Sequence, residues 1–252
     1  RPKIENHLLT PESMKKRKSG FTLSGKNLAA ENRIFLYVAT RFFLRYNEKN
    51  GGRKQMKILL TAINAKYIHS NLAVYNLRAY AAHYAKGMAD SDTVEIGEYT
   101  INNQMEDILE GIYKAKPDVL MFSCYIWNIA FVEELAEEFH KLRPEVPVWV
   151  GGPEVSYETE SFLREHPQIT GVMIGEKTFC ELAEYYAGES RRDKEKQKIQ
   201  ETQRTGEGKS TEERSKPGEI PGIAYRNGDE IIFTAPREML DLSDIPFCYD
   251  KA

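Results

Sequence analysis

The stretch Asp118-Val-Leu-Met-Phe-Ser-Cys-Tyr-Ile-Trp-Asn128 decides the fold of this chain. Its first half is a continuous apolar run, which is typical of a strand buried on both faces of a parallel sheet. Its second half begins with the small polar Ser123 and is then rich in aromatic residues, ahead of a helical pattern. Open α/β sheets bind ligands where buried strands end in such loops. The stretch therefore predicts a parallel sheet with a binding site at its carboxyl edge.

A second apolar run repeats this arrangement. Val146-Pro-Val-Trp-Val150 leads directly into Gly151-Gly152-Pro153-Glu154. Two adjacent glycines allow a ligand to approach the backbone itself, because they carry no side chain. We therefore expect this loop to contribute to the same site.

Strand-like and helical patterns alternate regularly from Met56 onward. Five such pairs predict an α/β domain over 56–188, with a flavodoxin-like or Rossmann-like five-stranded parallel sheet and helices on both faces. The predicted strands are 57–62, 93–99, 118–123, 146–151 and 171–175, and the predicted helices are about 70–86, 104–115, 128–142, 156–166 and 178–187.

Composition changes after Gly188. Residues 189–219 are almost wholly charged or polar and cannot bury enough apolar surface to offset their ordering entropy, which predicts a flexible excursion. Order resumes in 220–252, where two apolar runs flank Asn227-Gly228 and predict a C-terminal β-hairpin. The remainder of that segment is interpreted as a linker at which the chain has been cut.

Residues 1–55 are expected to be disordered or non-native. Met56 leads straight into the first strand, as a true protein start would, and Gly51 to Gln55 before it have codons that can all be purine-rich, like a ribosome-binding site. Two explanations stay open: translated upstream sequence, or an ordinary basic N-terminal extension.

Charge and cysteine content exclude several classes of protein. The chain has 252 residues, 41% of them hydrophobic, and a formal net charge of −3, which gives no basic footprint for nucleic acid. No run approaches the roughly 18 apolar residues of a membrane helix, so no membrane partner is expected. Cys124, Cys180 and Cys248 form neither a disulfide framework nor a metal-binding spacing, which favours a reducing cytoplasm.

Familiar catalytic motifs are absent from the sequence. The loop Ala62-Ile-Asn-Ala-Lys-Tyr-Ile-His-Ser-Asn71 lacks the Gly-x-Gly-x-x-Gly of dinucleotide-binding folds. Gly208-Lys-Ser210 resembles the end of a phosphate-binding loop, but Gln203 replaces the first glycine. We therefore do not expect catalysis by this chain alone.

Five motifs together resemble the cobalamin-binding N-terminal domains of cobalamin-dependent radical S-adenosylmethionine (SAM) proteins, and the resemblance covers Met56 to about Asp250. The motifs are Lys57-Ile-Leu-Leu-Thr61, Asn64-Ala-Lys-Tyr-Ile-His69, Phe122-Ser-Cys-Tyr-Ile-Trp-Asn128, Gly151-Gly-Pro-Glu-Val-Ser156 and Gly175-Glu-Lys-Thr-Phe179. The last of these is two residues shorter than is usual in the family.

The resemblance implies that cobalamin lies across the carboxyl ends of strands one, three and four, with a slot for its nucleotide tail opened by Gly151 and Gly152. Ser123 and Ser156 would serve as hydroxyl donors. Tyr125 and Trp127 would lie against the corrin ring or pack in the core, and both alternatives stay open. The implied cofactor-binding residues are Asn64, Ala65, Lys66, Tyr67, His69, Ser123, Tyr125, Trp127, Asn128, Gly151, Gly152, Pro153, Glu154, Ser156, Gly175 and Glu176.

His69 is a candidate axial ligand to cobalt, because imidazole is a common ligand of transition metals. The Asp-x-His-x-x-Gly motif of other cobalamin proteins is missing, since Tyr67 and Leu72 stand in place of its aspartate and glycine. A helix cap or a hydrogen bond to a cofactor amide is the alternative role.

The resemblance further implies a radical SAM enzyme, interpreted as a methyltransferase of unknown substrate. SAM and a 4Fe-4S cluster would be bound by a C-terminal radical SAM barrel, the expected partner of this domain, which the sequence does not contain. The alternative from a different class is a non-catalytic Rossmann-like interaction or sensor domain, with the hairpin at 221–234 as a docking element.

Overall fold

The computed structural model describes residues 55–67, 70–202 and 217–248, with side chains described in these ranges except at 193–202. Apart from Gln55, the predicted extension 1–55 lies outside these residues, and so does His69.

The strands form a single sheet in the described part of the chain. Its order is β2-β1-β3-β4-β5-β6-β7, and the first five strands are parallel. This 2-1-3-4-5 order is that of flavodoxin-like folds, so the predicted fold class is confirmed. The strands are β1 (Lys57–Asn64), β2 (Thr93–Thr100), β3 (Val119–Ser123), β4 (Val148–Gly151), β5 (Gly171–Met173), β6 (Ile223–Asn227) and β7 (Glu230–Phe233).

Helices cover both faces of this sheet, as predicted. They are α1 (Leu72–Tyr84), α2 (Met105–Ala115), α3 (Ile129–Leu142), α4 (Pro153–Ser156), α5 (Thr159–Glu165) and α6 (Glu176–Thr202). The one helix expected at 156–166 is instead two short helices, α4 and α5, which are separated at Tyr157 and Glu158.

Two hydrophobic cores, one on each face, hold the helices to the sheet. Leu59 and Ile63 of β1 pack with α2, α3 and α5 in one core, whereas Ile58 and Leu60 pack with α1 and α6 in the other. Both sets of side chains are buried because successive residues of a strand point to opposite faces. The continuous apolar runs of the sequence follow from this two-sided burial.

The predicted C-terminal hairpin is present, but it extends the sheet, which has seven strands rather than five. β6 pairs antiparallel with β5, with Met173 opposite Ile223, and β7 forms the outer edge of a seven-stranded sheet. The physical reason is that β5 has only three residues and would otherwise leave its backbone groups unpaired at an edge.

Helix α6 is longer than predicted, since it continues from Glu176 to Thr202 rather than ending at 187. Beyond Gly188 the apolar stripe stops, but the sequence is rich in Glu, Lys, Arg and Gln, all of which favour helix. An ion pair of 2.9 Å between Arg192 and Glu189 adds to this preference. Part of the predicted flexible segment is therefore helical, and 203–216 lie outside the described residues.

The segment after β7 returns across α6 and α1. Arg237 donates a hydrogen bond of 3.0 Å to Thr178 Oγ1 and forms an ion pair with Glu181, both in α6. Further on, Tyr84 Oη of α1 donates to the backbone oxygen of Asp244 at 3.1 Å. This segment, residues 237–244, is called the C-terminal strap below.

No helix in the described ranges is both long enough and apolar enough to cross a membrane.

Replacing Phe139 with Ala tests the core under α3. The side chain is fully buried, so Phe139→Ala should lower the free energy of unfolding by about 3–5 kcal/mol. Urea denaturation followed by circular dichroism measures the change. Phe233→Ala is the control. Phe233 lies on the edge strand and is 54% exposed, so its replacement should lower the free energy of unfolding far less. Equal losses would contradict the assignment of α3 to the core.

Candidate functional site

The crevice at the carboxyl ends of β1 and β3 is where the strand order reverses, and open α/β sheets bind ligands at such a point. Asn128 holds the two strand ends together there. Its Nδ2 donates to the backbone oxygens of Ile63 (3.0 Å) and Ser123 (2.8 Å), and its Oδ1 accepts from the backbone nitrogen of Tyr125 (2.8 Å).

The resemblance implied that Asn128, the residue just before α3, binds the cofactor. It occupies the N-cap position, but its side chain makes no capping hydrogen bond to the helix. It is also fully buried, with both ends of its amide satisfied by the protein. The structure thus gives Asn128 a tethering role between β1, β3 and the loop after β3.

Two aromatic side chains of that loop stack on each other. The ring centroids of Tyr125 and Trp127 are 4.5 Å apart and the rings are inclined by only 6°. Trp127 Nε1 donates to the backbone oxygen of Ile63 at 3.2 Å, which fixes the pair to the end of β1. Partial burial raises the pKa of the Tyr125 hydroxyl. The stacked pair therefore forms a rigid wall at the edge of the sheet.

One cavity, called the slot, has a volume of about 310 Å³ and runs between α1 and the sheet. Residues of four strands and their following loops line it, and α1 forms the opposite wall. The lining residues are Leu60, Ala73, Val74, Leu77, Met121, Phe122, Ser123, Tyr125, Val150, Gly151, Gly152, Ser156, Met173, Ile174, Gly175 and Glu176.

A second cavity, called the shelf, has a volume of about 400 Å³ and lies between the loops after β1 and β3. It is lined by Asn64, Ala65, Lys66, Ser70, Asn71, Leu72, Ala73, Tyr125 and Trp127. Ala73 and Tyr125 line both cavities, so the shelf and the slot adjoin.

Most of the predicted site residues come together in these two cavities. Asn64, Ala65, Lys66 and Trp127 line the shelf, Tyr125 lines both cavities, and Ser123, Gly151, Gly152, Ser156, Gly175 and Glu176 line the slot. Tyr67, Pro153 and Glu154 are exposed and line neither cavity. The prediction for His69 lies outside the described residues.

Sequence reasoning missed the contribution of α1. Ala73, Val74 and Leu77 line the slot, although their spacing also fits the ordinary apolar face of a helix. Asn71, just before α1, was missed as well, and it donates to Ser123 Oγ at 2.8 Å. A polar residue at the start of a helix that faces a predicted binding loop is the signal that was available.

Glu98 of β2 fastens the loop after β1 in place. Its carboxylate accepts hydrogen bonds from Asn64 Nδ2 (3.1 Å), the Asn71 backbone nitrogen (3.1 Å) and Tyr75 Oη (2.5 Å). Burial by itself would raise the pKa of Glu98, but these three hydrogen bonds and the charge of Arg78 outweigh it and hold the pKa below its usual range. The charged carboxylate is therefore the form that stabilises the shelf.

Close backbone contacts require glycine at two positions, Gly151 at the end of β4 and Gly152 just after it. A Cβ atom on Gly151 would lie 2.8 Å from the backbone oxygen of Met173, and one on Gly152 would collide with the backbone oxygen of Cys124. Gly152 also has a φ of 117°, which side chains rarely adopt. These contacts hold the ends of β3, β4 and β5 close together at the mouth of the slot.

Comparison with known families identifies the domain. The family described as B12 binding domain matches residues 58–183, which is half of the chain. The chain therefore belongs to the B12-binding domain family. This confirms the resemblance drawn from the five sequence motifs.

Two curated relatives are methyltransferases. Over 72 residues the chain is 33% identical to the cobalamin-dependent radical SAM methyltransferase TokK of Streptomyces tokunonensis, covering 29% of this chain and 10% of that protein. Over 125 residues it is 30% identical to the 2-(S-pantetheinyl)-carbapenam-3-carboxylate methyltransferase of Streptantibioticus cattleyicolor, covering 50% of this chain and 17% of that protein. The chain thus spans less than a fifth of either relative.

A solved structure shares the fold. The cobalamin-dependent SAM radical enzyme OxsB, with aqua-cobalamin and SAM bound, superposes with a TM-score of 0.54 at 15% identity. The match covers 77% of this chain and 24% of that one. At this identity the likeness establishes the fold alone.

Replacing Glu98 with Gln tests the carboxylate. Because its pKa is lowered in the folded state, the charge contributes stability above the unfolded carboxyl pKa of about 4.3, and this contribution is lost as pH falls through the folded pKa. Glu98→Gln should therefore be less stable than the parent near neutral pH. Urea denaturation across pH should show the difference shrinking below about pH 4.3. A constant difference down to low pH would contradict this role.

Paired glycine substitutions test the close contact at the slot. Gly152→Ala should lower the free energy of unfolding by about 1–3 kcal/mol, because the added Cβ would collide with the Cys124 backbone and the φ at this position is positive. Gly175→Ala is the matched control, since its φ of 88° is also unfavourable but no atom lies within 4 Å of the added Cβ. Thermal unfolding should rank Gly152→Ala as the more damaging change, and the reverse ranking would refute the contact.

Proposed function

We propose that this chain is the cobalamin-holding domain of a radical SAM methyltransferase. The single observation that carries the proposal is the pair of adjoining cavities at the carboxyl edge of the sheet, joined at Ala73 and Tyr125. The shelf is lined by both polar and aromatic side chains, and the slot is lined mostly by apolar ones. This combination suits a flat macrocycle that carries a long nucleotide tail.

The shelf suits the corrin ring. The ring is broad and apolar with carboxamide side chains at its edge, so it needs an apolar surface flanked by hydrogen-bonding groups. The stacked Tyr125 and Trp127 supply the apolar surface. Asn64, Lys66 and Ser70 supply polar groups beside it.

The slot suits the nucleotide tail. It extends inward from Ser123 and Gly151 at its mouth to Leu60 and Met121, which lie side by side in the middle of β1 and β3. A group that entered it would be enclosed between α1 and the sheet. Burial of this kind would anchor the cofactor and keep water from its underside.

Bound cobalamin would supply the organometallic chemistry, because its cobalt can carry a methyl group. The residues of this chain would hold the ring in place and restrict the access of water. The assignment of His69 as a lower ligand to cobalt stays a prediction. It immediately precedes the shelf residue Ser70 in the chain.

The methyltransferase part of the proposal is supported by the two curated relatives, both of which are methyltransferases. In such an enzyme SAM and a 4Fe-4S cluster would be bound by a separate radical SAM barrel. That barrel would be the partner of the domain. A Cys-x-x-x-Cys-x-x-Cys motif encoded downstream in the gene would support this arrangement.

Binding of hydroxocobalamin tests the proposal directly. The purified 252-residue chain should stay red after desalting and show a dissociation constant by absorbance titration. Ala73→Phe, which places a large ring where the two cavities meet, should weaken binding by at least about tenfold, or about 1.4 kcal/mol.

The control is the same substitution on the exposed side of α1. Ala82→Phe should leave the affinity unchanged, because Ala82 lines neither cavity. A parent protein that stays colourless would refute cobalamin binding and favour an interaction or sensor domain instead.

A further inference from the structure

One wall of the slot has little packing of its own. Ile174, Gly175 and Glu176 line the slot and connect β5 to α6. The Ile174 side chain is 53% exposed, and no atom lies within 4 Å of a Cβ built on Gly175. The backbone nitrogen of Ile174 donates to the Gly222 backbone oxygen at 3.0 Å. This loop therefore takes its position from the elements at its two ends, the end of β5 and the first turn of α6.

A polar cluster fixes that first turn of α6. Thr178 is fully buried, and its Oγ1 donates to the Pro221 backbone oxygen at 3.1 Å and accepts from Arg237 Nε at 3.0 Å. The Arg237 guanidinium also forms an ion pair with Glu181 and donates to the Pro221 backbone oxygen at 3.3 Å. One side chain of the C-terminal strap thus joins the start of α6 to the segment before β6.

This cluster is largely shielded from solvent. The Arg237 side chain is 14% exposed and that of Glu181 is 34% exposed, so salt and water screen their attraction less than that of a surface pair. A Cβ on Gly222 would lie 2.7 Å from Thr178 Oγ1, which shows how closely the backbone before β6 approaches the cluster. Loss of the guanidinium would therefore remove an acceptor's donor and a charge partner at a crowded, partly buried place.

From these contacts we propose that Arg237, which lines neither cavity, is a positioning residue for cofactor binding. It fixes the first turn of α6 and thereby the slot wall of Ile174, Gly175 and Glu176. The proposal rests on the proposed function, because that function places the nucleotide tail in the slot. Without Arg237 the wall would have to be ordered when the tail binds, and this ordering lowers affinity.

Titration with two corrinoids tests the role of Arg237. The probes are hydroxocobalamin and cobinamide, which lacks the nucleotide tail, and the protein is the 252-residue chain. Arg237→Gln should raise the dissociation constant for hydroxocobalamin at least about fivefold and change that for cobinamide by less than about twofold. A general loss of stability would not produce this difference, because it reduces the folded fraction for both probes alike.

Three results separate this proposal from the proposed function. An unchanged affinity of Arg237→Gln for hydroxocobalamin overturns the positioning role while cobalamin binding stands. Equal weakening of both corrinoids overturns it as well, because the effect would then not come from the slot. A parent chain that does not bind hydroxocobalamin refutes the proposed function itself.

Arg191→Gln is the matched control on the same helix. Arg191 forms an ion pair of 3.7 Å with Asp92 and donates to the Gly87 backbone oxygen, so it ties α6 to the segment before β2 rather than to the slot wall. Its replacement removes a comparable contact of α6 and should leave both affinities unchanged. If it weakened hydroxocobalamin binding as much as Arg237→Gln, anchoring of the helix in general would explain the effect, and the positioning role would fail.

A double-mutant cycle with Thr178→Val tests the route from Arg237 to the slot. Valine keeps the shape of the buried side chain but removes the hydroxyl that accepts from Arg237. Because the two residues share one set of contacts, the double variant should bind hydroxocobalamin within about twofold of the weaker single variant. Losses that multiply would overturn this route. Glu181→Gln takes the place of Thr178→Val in the cycle if circular dichroism shows that the valine variant is not folded.

Discussion

The arrangement of the loops at the carboxyl edge of the sheet depends on one buried side-chain amide. Asn128 joins the backbone of Ile63, at the end of β1, to that of Ser123, at the end of β3, and also accepts from the loop that follows. Strand ends beside a reversal of strand order have no intervening strand to hold their loops together. The fully satisfied side chain of Asn128 makes that link with three hydrogen bonds, and the hydrogen bonds of Trp127 to Ile63 and of Asn71 to Ser123 add to it beside the shelf.

Close packing of the backbones after β3, β4 and β5 forms the other side of the crevice. Gly151 and Gly152 allow the backbones after β3, β4 and β5 to approach more closely than any side chain would permit. The slot therefore arises from compact strand ends facing α1. The same residues that favour stability at this edge also create the space into which a ligand group fits.

The sequence was sufficient for the five parallel strands but not for the whole sheet or for all of the site. The apolar runs predicted the five parallel strands because two-sided burial leaves a strong local signal, as in Val119 to Phe122. The pairing of β6 with β5 was missed because it depends on an edge formed elsewhere in the chain. Asn128 was assigned to the cofactor because it lies in the loop that the family resemblance places at the site, and the sequence cannot reveal that its partners are backbone groups. Leu77 was missed since a helix face that lines a slot has the same periodicity as one that packs in a core.

The C-terminal strap acts as a cross-brace. Arg237 fastens it to the first turns of α6, and the backbone of Asp244 receives a hydrogen bond from Tyr84 at the far end of α1. Both helices border the slot, so a segment distant in sequence resists their separation. The strap therefore limits how far α1 and α6 can move apart. Ending the chain before Arg237 would remove that restraint without changing any residue that lines the slot.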